Sequence, residues 1–437
     1  MRIAFVKTSE RRFEPTLRRI MQRRGEGEKQ VLGRVEEIVR GVRNAGDRAL
    51  MRYTRLFDNV RLQRVGLEVP KAQVQEALKS APKKDLRVMH AAAERITRFH
   101  RRQLEKSWRY RDSLGLVLGQ KLTPLDRVGV YVPGGKAAYP STVLMNVIPA
   151  KVAGVREIIM TSPIGNQANA VLAAAAIAGV DRIFRVGGAQ AIAALAFGTQ
   201  SIPRVDKIVG PGNVYVAAAK RLVFGEVDID SIAGPSEILI LADPGAEPAF
   251  VAADMLSQAE HDELAAAFCI TPSLALAYKI KAALEKEIQN TKRRAITLRA
   301  LERYGAIIVS RGLKEAVEIA NQIAPEHIAL MVRKPESWVP AIRNAGAIFV
   351  GAYSTPPLGD YMAGPNHVLP TGGSARFFSP LGSYDFIKRT SVIRADKKAL
   401  QALAPAIIHM ASMEGLDDHA RAVEARFKKG VRNGANG

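Results

Sequence analysis

One cysteine in 437 residues, Cys269, excludes a disulfide within the chain and a cysteine-rich metal site. It lies in the apolar run Ala265–Ile270, which reads as a strand. The thiol is therefore expected to be a small buried hydrophobe, with a catalytic thiol as the open alternative. Aromatic residues are also few, at 6%. No apolar run has the length of a bilayer span, and even Val171–Val180 stops well short. Met1–Lys7 holds nothing apolar enough for a signal peptide. A soluble, cytoplasmic chain without a membrane partner is the expectation. G-x-G-x-x-G is missing as well, so the usual dinucleotide fingerprint offers no guide.

What is present is the profile of a globular enzyme, with 47% apolar and 24% charged residues and length enough for two or three domains. The formal charge of +22 raises the question of nucleic acid. The basic residues are spread along the chain, and their densest group, Arg11–Arg24, is interleaved with Phe13, Leu17, Ile20 and Met21. With the basic residues so dispersed, no nucleic-acid partner is expected. Attraction of anionic metabolites is the milder consequence.

Apolar residues at three- and four-residue spacing predict helices over Glu28–Gly46, Pro70–Lys79 and Lys84–Glu105, making the first ~120 residues mainly helical. After Pro124, Val128–Val132 reads as a strand. Ala153–Ile159 is then echoed by Ala178–Phe184, each copy ending an alanine-rich helix on glycine and opening a strand. Further strands are predicted at Asp206–Val209, Glu237–Ala242, Ala266–Thr271, Ala306–Val309 and Ile328–Val332. Strands spaced by helices predict an α/β fold with two Rossmann-like parallel-sheet units. Helical additions are expected at both ends, including Lys397–Met413 and Asp417–Lys428, followed by a frayed tail, residues 430–437.

Glycine-rich turns follow strands at Pro133-Gly134-Gly135, Gly187-Gly188-Ala189-Gln190 and Gly210-Pro211-Gly212-Asn213. Glycine there lets backbone N–H groups approach a phosphate, and a helix opening just behind adds its dipole. Plain turn chemistry is the alternative for any one of them. Among seven histidines, His261, His327, His367 and His419 stand in polar, glycine- or acid-rich surroundings, whereas His90, His100 and His409 read as structural or solvated. Gln258 and His261, three apart in a segment read as helix, would project from one face as two ligands of one ion must. A solvated helix face is the bland reading of the same pair. Asp360 follows Pro356-Pro357 in a glycine-punctuated loop suited to presenting a carboxylate to a metal or to an Asx-turn. Glu414 and His419 flank Asp417-Asp418 near a helix start, where capping by either aspartate is the alternative. Pro325-Glu326-His327 joins a helix over Leu313–Ile323 to a strand. A carboxylate beside an imidazole on a stiff junction suits general acid–base work, and a buried satisfied pair is the other reading.

These segments in this order resemble histidinol dehydrogenase, from about Leu32 to about Phe427. The resemblance rests on VGVYVPGGKAAYPSTVLMNVIPAKVAGV (Val128–Val155), VGGAQAIAALAFGT (Val186–Thr199), IVGPGNVYVAAAK (Ile208–Lys220), IAGPSEILILAD (Ile232–Asp243), DMLSQAEHD (Asp254–Asp262), APEHI (Ala324–Ile328), GDYMAGPNHVLPTGG (Gly359–Gly373) and EGLDDHA (Glu414–Ala420).

The resemblance implies oxidation of L-histidinol to L-histidine through bound L-histidinal, with two NAD reduced, as the last steps of histidine biosynthesis. It implies one zinc ion per subunit on Gln258, His261, Asp360 and His419. His327 is then the proton acceptor in the first oxidation, and Glu326 activates water in the second. Ser236, His367 and Glu414 match substrate contacts, together with the four zinc ligands, Glu326 and His327. Tyr131, Gln190 and Asn213 match the dinucleotide contacts. A homodimer is implied, its C-terminal segment reaching the partner's site. The corresponding domains are residues 1–24 as a helical extension, 25–129 plus 238–381 as the first Rossmann-like unit, 130–237 as the NAD-binding unit and 382–437 as a helical tail. A related zinc and NAD dehydrogenase of another polar alcohol, such as a sulfonated diol, and a zinc hydrolase are the rival readings.

Overall fold

The protein is seen in a computed structural model that describes residues 2–22, 28–58, 62, 66–134, 139–164, 168–232 and 234–427. Arg23, Arg24, Gly135 and the tail over 430–437 lie outside the described residues. The strands in chain order are β1 (Ala4–Lys7), β2 (Trp108–Arg111), β3 (Val117–Pro124), β4 (Arg127–Tyr131), β5 (Glu157–Thr161), β6 (Arg182–Phe184), β7 (Lys207–Val209), β8 (Asp228–Ile229), β9 (Glu237–Ala242), β10 (Ala266–Thr271), β11 (Ala306–Val309), β12 (His327–Met331), β13 (Ala347–Val350) and β14 (Ile387–Arg394).

Contacts divide the chain into two compact units, Met1–Leu104 with Pro124–Phe386, and Glu105–Thr123 with Ile387–Gly437. The first unit holds two parallel sheets, which bears out the α/β expectation. One has the order β6-β5-β4-β7-β8 and the other β1-β11-β10-β9-β12-β13. In the five-stranded sheet the chain winds outward from β4 and then returns to its other side. In the six-stranded sheet it does the same from β9, with β1 added at the edge beyond β11. This creates a switch point between β4 and β7 and another between β9 and β12.

The six-stranded sheet is covered on both faces, so its strands read as unbroken apolar runs. Ile238, Ile240 and Ala242 face one core, with residues of helices Pro248–Ala259 and Leu274–Glu287. Leu239 and Leu241 face the other, with Phe13, Leu17 and Ile20 and with helix Leu313–Ile323. Cys269 is fully buried in the first of these cores, and burial pushes its thiol up to about 12. That is the inert hydrophobe expected. On the five-stranded sheet, helices Glu28–Phe57, Gly188–Phe197 and Val214–Val223 pack a core around Val35, Leu50, Ile192 and Val216.

The echoed segments form as read. Helix Pro140–Ala153 ends on Gly154 and helix Ala168–Ala178 on Gly179, both glycines left-handed, each leading into the next strand. Three details differ from expectation. Residues 1–24 contain β1, which pairs with β11, as well as a helix. The helix expected over Glu28–Gly46 does break at Gly46 (φ 52°), but the chain then resumes a second helical stretch as far as Phe57. Trp108–Pro124 is not helical. It forms the antiparallel pair β2–β3, whose turn is held by Asp112 Oδ1 accepting from Leu114 and Leu116 N–H at 2.9 Å each. This pair belongs to the second unit, where β14 joins β3 and helices Lys397–Met413 and Asp417–Glu424 follow. No described helix is long and apolar enough to cross a membrane.

Candidate active site

Two clusters of expected residues form in the first unit. The first is at the carboxyl edge of the five-stranded sheet, beside its switch point, where open α/β sheets place ligands. Tyr131 ends β4 almost fully buried, and its hydroxyl accepts from Gly188 N–H at 3.1 Å. Burial, with the nearby Asp58 charge, pushes the phenol up to about 12. Gln190, equally buried, donates from Nε2 to Asp58 Oδ2 at 3.3 Å. Burial raises Asp58 as well, against the lowering bonds from Gly187 and Gln190. At the next strand end, Asn213 caps helix Val214–Val223, its Oδ1 accepting from Tyr215 and Val216 N–H.

The turn between β7 and that helix is gripped from below. Gly210 N–H donates to Asp230 Oδ2 at 2.7 Å, and its carbonyl accepts from the buried Lys220 Nζ at 2.6 Å. Gly210 has φ 111°, and a Cβ there would run into the Tyr131 carbonyl. Only glycine lets the two strand ends close up in this way. Tyr131, Gln190 and Asn213 thus share one edge, with the glycine turns Gly187-Gly188 and Gly210-Pro211-Gly212 between them.

The second cluster sits at the opposite kind of position, the amino ends of β9 and β12. Helix Leu313–Ile323 ends on Ala324, a non-glycine residue in the left-handed region (φ 51°), and Pro325 stiffens the next step of the chain. The turn delivers Glu326 and His327, both buried, to the head of β12. Glu326 Oε2 accepts from Glu237 N–H at 2.8 Å, and His327 Nδ1 donates to the Glu237 carbonyl at 2.9 Å. The carboxylate and the imidazole lie 3.7 Å apart. Burial pushes Glu326 up to about 7, against the pull of His327. Burial disfavours a charged His327, but Glu326 and Asp360 outweigh it and raise the ring to about 9.

His327 Nε2 points toward Asp360 Oδ1 at 3.7 Å and makes no hydrogen bond, although fully buried. Asp360 is not in a loop, as expected, but in a six-residue helix, Pro356–Tyr361, opened by its two prolines. Its carbonyl accepts from His367 Nδ1 at 3.0 Å. Burial lowers His261 and His367, and both rings feel the Asp360 carboxylate. His261 departs from its expected place as well. Helix Pro248–Ala259 ends before it, and His261 N–H reaches back only to the Gln258 carbonyl at 3.2 Å. The pair therefore straddles a helix end, where the tightening ladder turns His261 off the helix. Ser236 lies half-buried just ahead of Glu237.

Among the described residues, neither the Gln258 amide nor the His261 imidazole makes a side-chain hydrogen bond, and no three His, Cys, Asp or Glu side chains form a ready metal cage. An amide, an imidazole and a carboxylate are donor types that suit a borderline cation, and the His261 ring feels the Asp360 charge.

Comparison with known proteins decides the family. The profile described as Histidinol dehydrogenase matches residues 21–427. A histidinol dehydrogenase of Aquifex aeolicus (strain VF5) is 55% identical over 392 residues, 90% of this chain and 91% of that protein. One of Geobacter metallireducens is 48% identical over 427 residues, 97% of this chain and 98% of its own. The crystal structure of histidinol dehydrogenase from Elizabethkingia anophelis superposes with a TM-score of 0.91 at 34% identity, covering 97% and 98% of the two chains. The chain belongs to the histidinol dehydrogenase family. It is thus a member of a family of oxidoreductases.

Two residues expected in the histidinol dehydrogenase site, Glu414 and His419, belong to the second unit. There they line an apolar hollow with Ala406, Ile407, Met410, Ala411 and Leu416. The helix carrying His419 has Leu416 at its cap position, so Asp417 and Asp418 do not serve as its cap. The remaining histidines behave as read. His100 is buried and donates from Nδ1 to Ile96 O, while His90 and His409 are exposed.

Sequence reasoning missed Glu237 and Asp58. Glu237 read only as the first residue of an apolar strand, yet its main chain holds both Glu326 and His327. The available signal was a carboxylate heading a wholly buried run. Asp58 follows a helix end and gave no signal.

Proposed function

We propose that this chain oxidises L-histidinol to L-histidine through L-histidinal, reducing two NAD and requiring one zinc ion per subunit. The observation that carries the reading is the buried Glu326–His327 pair, held by the main-chain N–H and carbonyl of the single residue Glu237 and facing Asp360. Family membership supports the substrate. NAD, when bound, accepts hydride, and zinc, when bound, orients the substrate's amino and imidazole nitrogens.

The chain's own groups then divide the proton work. His327, tied through Nδ1, has Nε2 free to take the hydroxyl proton as hydride leaves the carbinol carbon. This requires a neutral ring, which the Asp360 carboxylate disfavours; a cation sharing Asp360 weakens that pull. Glu326 removes a proton from the water that adds to the aldehyde carbon, and the hydrated aldehyde loses the second hydride to give the acid. Burial raises the basicity of Glu326, which suits a base working near neutral pH.

Gln258, His261 and Asp360 would hold the zinc, with His419 of a second copy as fourth donor. Ser236, His367 and Glu414 would contact the substrate, and Tyr131, Gln190 and Asn213 the dinucleotide. The site so completed makes a homodimer the working unit. A soluble, cytoplasmic enzyme of histidine biosynthesis follows from the same reading. The test is NADH formation from histidinol and from histidinal, before and after chelation. No absorbance change with either substrate, zinc and NAD present, would sink the reading.

A further inference from the structure

Asp254 and Thr355 connect the two stretches of chain that carry the candidate metal donors. Asp254 lies one helical turn before Gln258 in helix Pro248–Ala259 and is 7% exposed. Its Oδ1 accepts from the Thr355 hydroxyl at 2.7 Å, and its Oδ2 is buried without a hydrogen-bond partner. Thr355 stands at the cap position of helix Pro356–Tyr361, which bears Asp360, yet its side chain makes no cap bond to that helix. A threonine at such a position ordinarily spends its hydroxyl on its own helix. Here the hydroxyl bonds to the neighbouring helix.

A six-residue helix is too short to hold itself, so its placement comes from tertiary ties. Ser354 bonds back to Val350 O at 2.8 Å and His367 to Asp360 O at 3.0 Å. Neither tie reaches the segment with Gln258 and His261. Among the described residues, the Thr355–Asp254 bond is the one hydrogen bond between the two donor-bearing elements. Burying a carboxylate with one oxygen unpaired costs folding free energy, so stability does not account for it.

We propose that Asp254 is a positioning residue, whose bond to Thr355 fixes Asp360 against Gln258 and His261 and so sets the affinity of the site for a divalent cation. The inference rests on the reading of Gln258, His261 and Asp360 as metal donors. Groups that orient metal ligands from behind typically contribute 10–100-fold in affinity.

The experiment measures zinc affinity of the full-length protein by competition with a chromophoric chelator, alongside the thermal midpoint of the metal-free protein. Thr355→Val, which removes the donor at nearly constant shape, should weaken zinc by roughly 10–100-fold. Thr355→Ser should bind zinc much as the parent protein does. Asp254→Asn keeps an acceptor for Thr355 and should fall between them. A Thr355→Val protein with a lowered midpoint but unchanged zinc affinity overturns the brace, as does an Asp254→Asn protein weaker than Thr355→Val. Asp360→Ala separates the two levels of argument. If it loses zinc while Thr355→Val does not, the brace fails and the donor assignment stands; if the parent protein and Asp360→Ala bind alike, the donor assignment fails and the brace with it.

Discussion

His327 donates its Nδ1 proton to the Glu237 carbonyl at 2.9 Å, and this bond fixes which nitrogen can do chemistry. A carbonyl only accepts, so Nδ1 carries hydrogen and Nε2 keeps the lone pair of the neutral ring. His327→Ala is therefore expected to slow histidinol oxidation by about 100- to 10,000-fold, the usual worth of a positioned base. Steady-state rates from histidinol and histidinal check this. Loss confined to the histidinal step would refute the assignment.

Glu326 is held by the same residue, through the Glu237 N–H, but its task concerns water. Glu326→Gln keeps the shape and removes the base. Oxidation of added histidinal should fall by about 100-fold or more, with the first hydride transfer less affected. Single-turnover NADH bursts separate the two steps, and equal losses in both would end the proposed division.

Much of this site was legible because its residues sit at junctions that the sequence marks. Pro325 after a helical pattern and before an apolar run located Glu326 and His327 to the residue. Asp360 and His261 were found as residues but misplaced as structure. A proline pair can open a short helix as readily as a loop, and a Q-x-x-H spacing does not reveal that the helix stops between its members. Glu237 and Asp58 were illegible, since their roles come from pairing between strands of one sheet that are distant in sequence and between distant helices. The β2–β3 pair was hidden for a related reason. Its strands are exposed or only partly buried, and the alternation in Trp108–Arg111 spans four residues only, too short a pattern to read as a strand.

Gly210 tests the dinucleotide edge independently of the catalytic pair. At φ 111°, with the Tyr131 carbonyl in the way, Gly210→Ala strains the turn by about 1–3 kcal/mol. NAD affinity, measured by titrating protein fluorescence, should weaken while zinc affinity stays unchanged. An alanine protein that binds NAD like the parent would remove this turn from the cofactor site.

The Glu68–Arg182 pair gives the first unit a pH-dependent increment. The Arg182 guanidinium, bonded at 2.9 and 2.7 Å, holds Glu68 below its ordinary 4.5 despite some burial. A lowered folded value means that the stability is present above 4.5 and is lost as pH falls through the folded value. The Glu68 side chain is 44% exposed, so screening limits the increment to about 1 kcal/mol or less. Glu68→Gln should lower the thermal midpoint slightly at neutral pH. The gap should close as pH drops below about 4.5; a gap that widens in acid would reverse the assignment.

His261 is in the first unit and His419 in the second. If each zinc takes His419 from the neighbouring copy, a His261→Ala subunit still offers an intact His419, and a His419→Ala subunit an intact His261. Each inactive variant then lacks what the other supplies. Mixed dimers, formed by co-expression with two affinity tags and purified through both, should contain one complete site and regain part of the activity. Two doubly tagged controls, each with the same substitution on both subunits, should stay inactive. Mixed dimers as inactive as these controls would place all four donors within one chain.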